Sequence, residues 1–184
     1  MIRFIIRSIA IIVILILLAP IVFAVDQVTK DKIFKETTIL CSIYSKICII
    51  TEVKDNKYMY AQTGARDNIQ VSSALVNRMN EAQLRGVMFH EAGHVIFNHV
   101  GRTIDYLALC GKQCDIEKIS LMRKRYEYQS DRFATYVGIY TNKEVDLIGA
   151  LLILTDPKDM YENNPTHPCT ADRIKEIRRI QDAK

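Results

Sequence analysis

Asn80-Glu81-Ala82-Gln83-Leu84-Arg85-Gly86-Val87-Met88-Phe89-His90-Glu91-Ala92-Gly93-His94-Val95 decides how this 184-residue chain is read. Leu84, Val87, Met88 and Val95 recur at helical spacing, which predicts a helix with a buried face. Asn80 is a good cap, and Glu81 in the first turn suits the helix dipole. The helix is expected to run from about Glu81 to His99, with Gly101 allowing a break. His90 and His94 then sit on one face, one turn apart, and two neutral imidazoles there can grip one metal ion. Glu91 lies next to the first of them. A zinc ion lowers the pKa of a bound water to about 7, and a neighbouring carboxylate can take the proton. Gly93 costs such a helix roughly 1 kcal/mol against Ala, which predicts that something packs closely against the backbone there.

A catalytic zinc takes three protein ligands and keeps an open position. One zincin pattern places a third histidine six residues after the second, with a glycine between. Val100 and Phe97 occupy those positions here, which excludes that class. His99 is five residues after His94, so a continuous helix would turn it off the metal face and leave it partly exposed. Glu127 is the stronger candidate. It stands four residues before Asp131, on one face of an expected helix from about Asp115 to Tyr140. Glu127 can bind the metal, and Asp131 can accept the free ring N–H of a ligating histidine. The plainer alternative for Glu127 is a surface acid pairing with Arg123.

The rest of the chain sets the frame. Its 25 Lys and Arg and 21 Asp and Glu give a formal charge of +4; without Arg3 and Arg7 the count is 23 against 21. That near balance gives no argument for a nucleic-acid partner. Arg3 and Arg7 precede an apolar run from Ile9 to Val25, and Val22-Phe23-Ala24 fits a cleavage site. Residues 1–25 therefore read as a signal peptide or an N-terminal membrane anchor, and residues 26–184 as one domain on the far side of the membrane. Of five cysteines, Cys41 with Cys48 and Cys110 with Cys114 are the natural local pairs of an exported protein, leaving Cys169 free.

Asp26 to Lys35 reads as a short helix or tether. Strands are expected at Ile47–Thr51, Tyr58–Tyr60 and Ile69–Val71, with a turn at Asp55-Asn56-Lys57. Ser72 or Ser73 can cap a short helix. Thr141 to Glu144 has the form of a capping box opening a further helix, and Thr170 is placed to cap a last one. The domain is expected to be α+β and mostly helical, a small antiparallel meander followed by helices.

Several of these blocks resemble the gluzincin metallopeptidases, the family of the HtpX-type membrane peptidases and CAAX prenyl proteases. Asn68 to Leu75 is similar to the family's strand and short helix, Asn80 to His94 to its motif helix, and Glu127 with Asp131 to its E-x-x-x-D block. Thr166-His167-Pro168 with Arg173 resembles its C-terminal block. The resemblance implies a zincin-like domain with one zinc at His90, His94 and Glu127, and Glu91 as general base. It also implies His167 near the metal, as an oxyanion donor or a cap on the open position, and Arg173, like Asp131, in support of the ligands. The strand at Ile69–Val71 would lie along the cleft, where an edge strand can pair with an extended protein or peptide substrate. Cys169 stands where a second proline is common and offers a soft thiolate near the site. The leading expectation is a zinc endopeptidase acting on envelope or membrane-associated proteins, periplasmic or anchored facing outward. The alternative is a chaperone-like or scaffold module of an envelope complex, with latent or lost peptidase activity.

Overall fold

The computed structural model describes residues 25–54, 57–157, 160–162 and 166–183. The expected leader up to Ala24, Asp55 and Asn56 of the expected turn, and Pro165 lie outside the described residues. Among the described residues, helix α1 (Gln27–Ile43) comes first, followed by β1 (Ile49–Val53), β2 (Ala61–Thr63) and β3 (Asn68–Ser72). Helices α2 (Ser73–Val76), α3 (Glu81–Ile96), α4 (His99–Cys110), α5 (Ile116–Thr141), α6 (Leu147–Leu154) and α7 (Thr170–Asp182) complete the domain. Among the described residues no helix is long and apolar enough to cross a membrane.

Helix α3 is the axis of the molecule. Its start is set by a capping box in which Asn80 accepts from the Gln83 amide at 2.9 Å and Gln83 Oε1 accepts from the Asn80 amide at 3.0 Å. The helix is buried nearly all round, because it faces two apolar clusters at once. Leu84, Met88, Ala92 and Val95 pack with Ile33 of α1 and with Ile69, Val71 and Leu75. Phe89 packs with Ala134, Leu147, Leu151, Ile174 and Ile177 from α5, α6 and α7. A Cβ on Gly93 would lie 3.1 Å from Ser130 Cα, and one on Gly86 would lie 3.1 Å from Leu147 Cα. The missing side chains let α6 and α5 close on α3 one turn before and one turn after His90, respectively.

Several elements differ from their sequence expectations, each for a physical reason. The sheet is mixed rather than an antiparallel meander: β3 is central, parallel to β1 (Ile50↔Ile69) and antiparallel to β2 (Gln62↔Gln70). The strand at Ile69–Val71 is therefore no edge; β2 is the edge beside α3. The expected strand at Tyr58–Tyr60 lies just before β2. Tyr60 meets Ser72 through two single bonds, to its amide and its hydroxyl, at 3.0 and 3.1 Å. Helix α1 runs to Ile43, well beyond Lys35, because Ile33, Thr37 and Cys41 carry its buried stripe onward. Thr141 ends α5 instead of opening a helix, and Asp146 caps α6 by accepting from the Gly149 amide at 2.8 Å. Cys169, not Thr170, occupies the cap position of α7. Disulfides join Cys41 to Cys48 and Cys110 to Cys114, the local pairs expected, and Cys169 is free and buried.

Helix α3 stops at Ile96, short of His99. Asn98 takes a left-handed conformation (φ 53°), a region asparagine tolerates better than most residues. The chain breaks there and starts again as α4, two residues before the glycine expected to allow it.

Candidate metal centre

His90 and His94 come from consecutive turns of α3, and Glu127 reaches them from α5. The His90 and His94 Nε2 atoms are 3.1 Å apart. Glu127 places Oε2 3.5 Å from His90 Nε2 and Oε1 3.4 Å from His94 Nε2. A tetrahedral ion with bonds of about 2.0–2.1 Å has ligand–ligand edges of about 3.3 Å. The three side chains thus form one face of such a coordination shell, with all three ligand atoms within 4.8 Å of one another.

Electrostatics favour a cation there. Glu91, Glu127 and Asp131 supply three carboxylates, and Arg173 one guanidinium. Burial disfavours charge on His90, but Asp131 and Glu127 outweigh it and lift the pKa to about 10. A pocket that draws a proton this strongly also suits a divalent metal, which releases that proton on binding. Burial would raise the Glu127 carboxyl as well; His90, His94 and Arg173 instead hold it well below the ordinary carboxylate range. Among the described residues these donors fit a zinc ion, and Cys169 is not among them.

Two residues lie behind the cluster: Asp131, from the expected helical register, and Arg173, from the block that resembles the family's C-terminal one. Asp131 Oδ1 lies 2.9 Å from His90 Nδ1, an ion-pair contact rather than a well-aligned hydrogen bond. Arg173 forks onto Asp131, donating from Nε and Nη2 at 2.7 Å each, and places Nη1 3.2 Å from Glu127 Oε2. All three are buried. The alternative pairing of Glu127 with Arg123 gives way to these partners. Its carboxylate faces inward, where the histidines and Arg173 meet it.

Glu91 is buried, and Thr63 of β2 holds it. Thr63 Oγ1 is 2.8 Å from Glu91 Oε2 and 3.0 Å from the Glu91 carbonyl oxygen. Nothing in the sequence singled out Thr63, because the strand that carries it was expected three residues earlier. His167 sits at the mouth, half exposed, with Nε2 3.8 Å from Glu127 Oε1 and Nδ1 2.7 Å from Thr166 Oγ1. A cleft of about 260 Å³ opens beside His90, Glu91 and Glu127, walled by Val87, Leu147, Leu151 and Leu154. Strand β2 crosses the whole site. Ala61 lines this cleft, and Gln62 and Thr63 line a second hollow beside His94.

His99 differs most from expectation. It is 2 % exposed, not a partly exposed surface group. Its Nδ1 is 3.0 Å from His94 Nδ1, and its Nε2 is 3.0 Å from Gln129 Oε1. The break at Asn98 is the reason, since it swings His99 back beside His94. Burial, then the neighbouring His94, push its pKa down to about 4.

Residues 44–112 match the model of peptidase family M48, in keeping with the gluzincin resemblance of the motifs. The match spans the sheet, α3 and α4, and ends before Glu127. No curated protein and no solved structure matches the chain significantly.

Proposed function

We propose that this chain is a zinc-dependent endopeptidase with a zincin-like domain, in which Glu91 is the general base. The observation that carries the reading is the His90, His94 and Glu127 cluster with tetrahedral edge lengths, sharing one cleft with a carboxylate that Thr63 holds in place. Zinc, when bound, supplies a Lewis acid that polarises a peptide carbonyl and lowers the pKa of a water to about 7. Glu91 takes a proton from the attacking water and later returns it to the leaving amine. Strand β2 offers its free edge to an extended substrate, main chain to main chain. The apolar wall of Val87, Leu147 and Leu151 suits an aliphatic side chain next to the scissile bond. His167 donates to the oxyanion. Arg173 and Asp131 keep His90 and Glu127 in place.

The chain is exported, its positive leader staying inside and its two local disulfides suiting an oxidising compartment. Its substrates are envelope or membrane-associated proteins, and the N-terminus contacts the membrane where the leader is retained.

Purified protein should hold about one zinc per chain. Chelation should abolish cleavage of an unfolded protein such as casein, and added zinc should restore it. Cleavage that survives complete zinc removal refutes the proposal. Zinc-replete protein that cleaves nothing leaves the chaperone-like reading in its place. His167→Ala should keep zinc and lower kcat on the order of 10²-fold. Unchanged steady-state kinetics would return His167 to a loop residue without a role.

A further inference from the structure

We infer that His99 is a positioning residue for the metal site: it accepts the Nδ1–H of His94 and so keeps the His94 Nε2 lone pair turned toward His90 and Glu127. The inference rests on reading that cluster as a metal site.

The hydrogen-bond roles follow from one another. A neutral imidazole has one donor and one acceptor nitrogen. Gln129 Oε1, 3.0 Å from His99 Nε2, can only accept, so His99 Nε2 carries the proton. His99 Nδ1 is then an acceptor. His94 Nδ1, 3.0 Å away, must be the donor. A His94 that is protonated at Nδ1 has its lone pair on Nε2, the atom facing Glu127 at 3.4 Å. Gln129 therefore sets the tautomer of a metal ligand through an intervening ring.

The ring itself is held in place. His99 stacks on Tyr126 with centroids 4.1 Å apart and planes 9° apart, and Phe97 covers it at 5.7 Å. At 2 % exposure, little water reaches it to replace the bond. The left-handed Asn98 puts it there, and a continuous α3 would not. The two histidine ligands thus have different supports. His90 leans on the Asp131 carboxylate, whereas His94 leans on a neutral ring. A carboxylate in place of His99 would add a fourth negative charge to a site that already holds three against Arg173.

The test uses the full chain. Zinc affinity is measured by competition with a chromophoric chelator, and the His94 tautomer by nitrogen NMR of zinc-free protein. The parent should show His94 as the Nδ1–H form. His99→Leu should weaken zinc binding about 10–100-fold and give His94 a mixture of tautomers. His99→Asn, whose side-chain oxygen can take the place of Nδ1, should recover most of the affinity. A folded His99→Leu protein that binds zinc as tightly as the parent overturns the inference. Equal weakening in both variants also overturns it, since that marks a packing role. If His99→Leu does not fold, Gln129→Leu decides, and a parent-like tautomer and affinity there overturns the inference. A parent that binds no zinc refutes the metal-site reading itself.

Discussion

Glu91→Gln is expected to keep its zinc and to lose about 10²–10⁴-fold in kcat, the usual contribution of a positioned general base. The substitution changes little else. Gln has the same length, and its amide oxygen can still accept from Thr63 Oγ1, which lies 2.8 Å from Glu91 Oε2. The proposed ligands His90, His94 and Glu127 are untouched, and the helix keeps a good helix former at this position. What disappears is a carboxylate able to hold a proton between water and the leaving amine. Zinc content and steady-state cleavage of casein, compared between parent and variant, separate the two roles. Parent-rate cleavage would show that Glu91 is not the base. Lost zinc would show that it holds the metal or the fold instead.

The features legible in the sequence are those with a local cause. Asn80 and Glu81 are adjacent, so the start of α3 could be read from a cap and one acid in the first turn, while the reciprocal bond from Gln83 came only with the structure. The i, i+4 spacings of His90 with His94 and of Glu127 with Asp131 put each pair on one face, whatever the rest of the chain does. Gly93 foretold a close neighbour, and Ser130 is that neighbour. The features that escaped have causes elsewhere. Which strand takes the centre of the sheet depends on a partner distant in sequence, so β3 read as an edge while β2 is one. Thr63 was hidden with it. His99 was misplaced because its position depends on one left-handed residue, Asn98, inside a stretch whose periodicity reads as continuous helix. The proposed ligands were thus easier to find than Thr63, which bonds Glu91, or His99 and Gln129, which reach His94 through the break at Asn98.

Arg173→Met is expected to destabilise the zinc-free protein by about 3–5 kcal/mol, the cost of breaking a buried ion pair by removing one partner. Arg173 is 7 % exposed and donates twice to Asp131, which is fully buried. Met fills much of the volume but leaves Asp131 with His90, and Glu127 with His90 and His94, as their remaining close partners. The loss should depend on pH in a definite direction. Burial would raise the Asp131 carboxyl, but the Arg173 guanidinium, followed by His90, outweighs it and holds the pKa below its ordinary value. A carboxyl depressed in this way stabilises the fold above its unfolded pKa of about 3.9, and that stability is lost as pH falls through the lower folded value. In the variant the largest lowering cause is gone and burial remains, so acidification relieves strain that the parent does not have. The gap between parent and variant should be widest near about pH 7 and narrow toward about pH 4. Zinc should narrow it too, because a divalent cation beside Glu127 takes over part of the charge that Arg173 balanced. Urea midpoints of both proteins, with and without zinc across this range, measure all three effects. A variant as stable as the parent at neutral pH, or a gap that does not change with pH, would mean that the Arg173–Asp131 pair does not hold the site together.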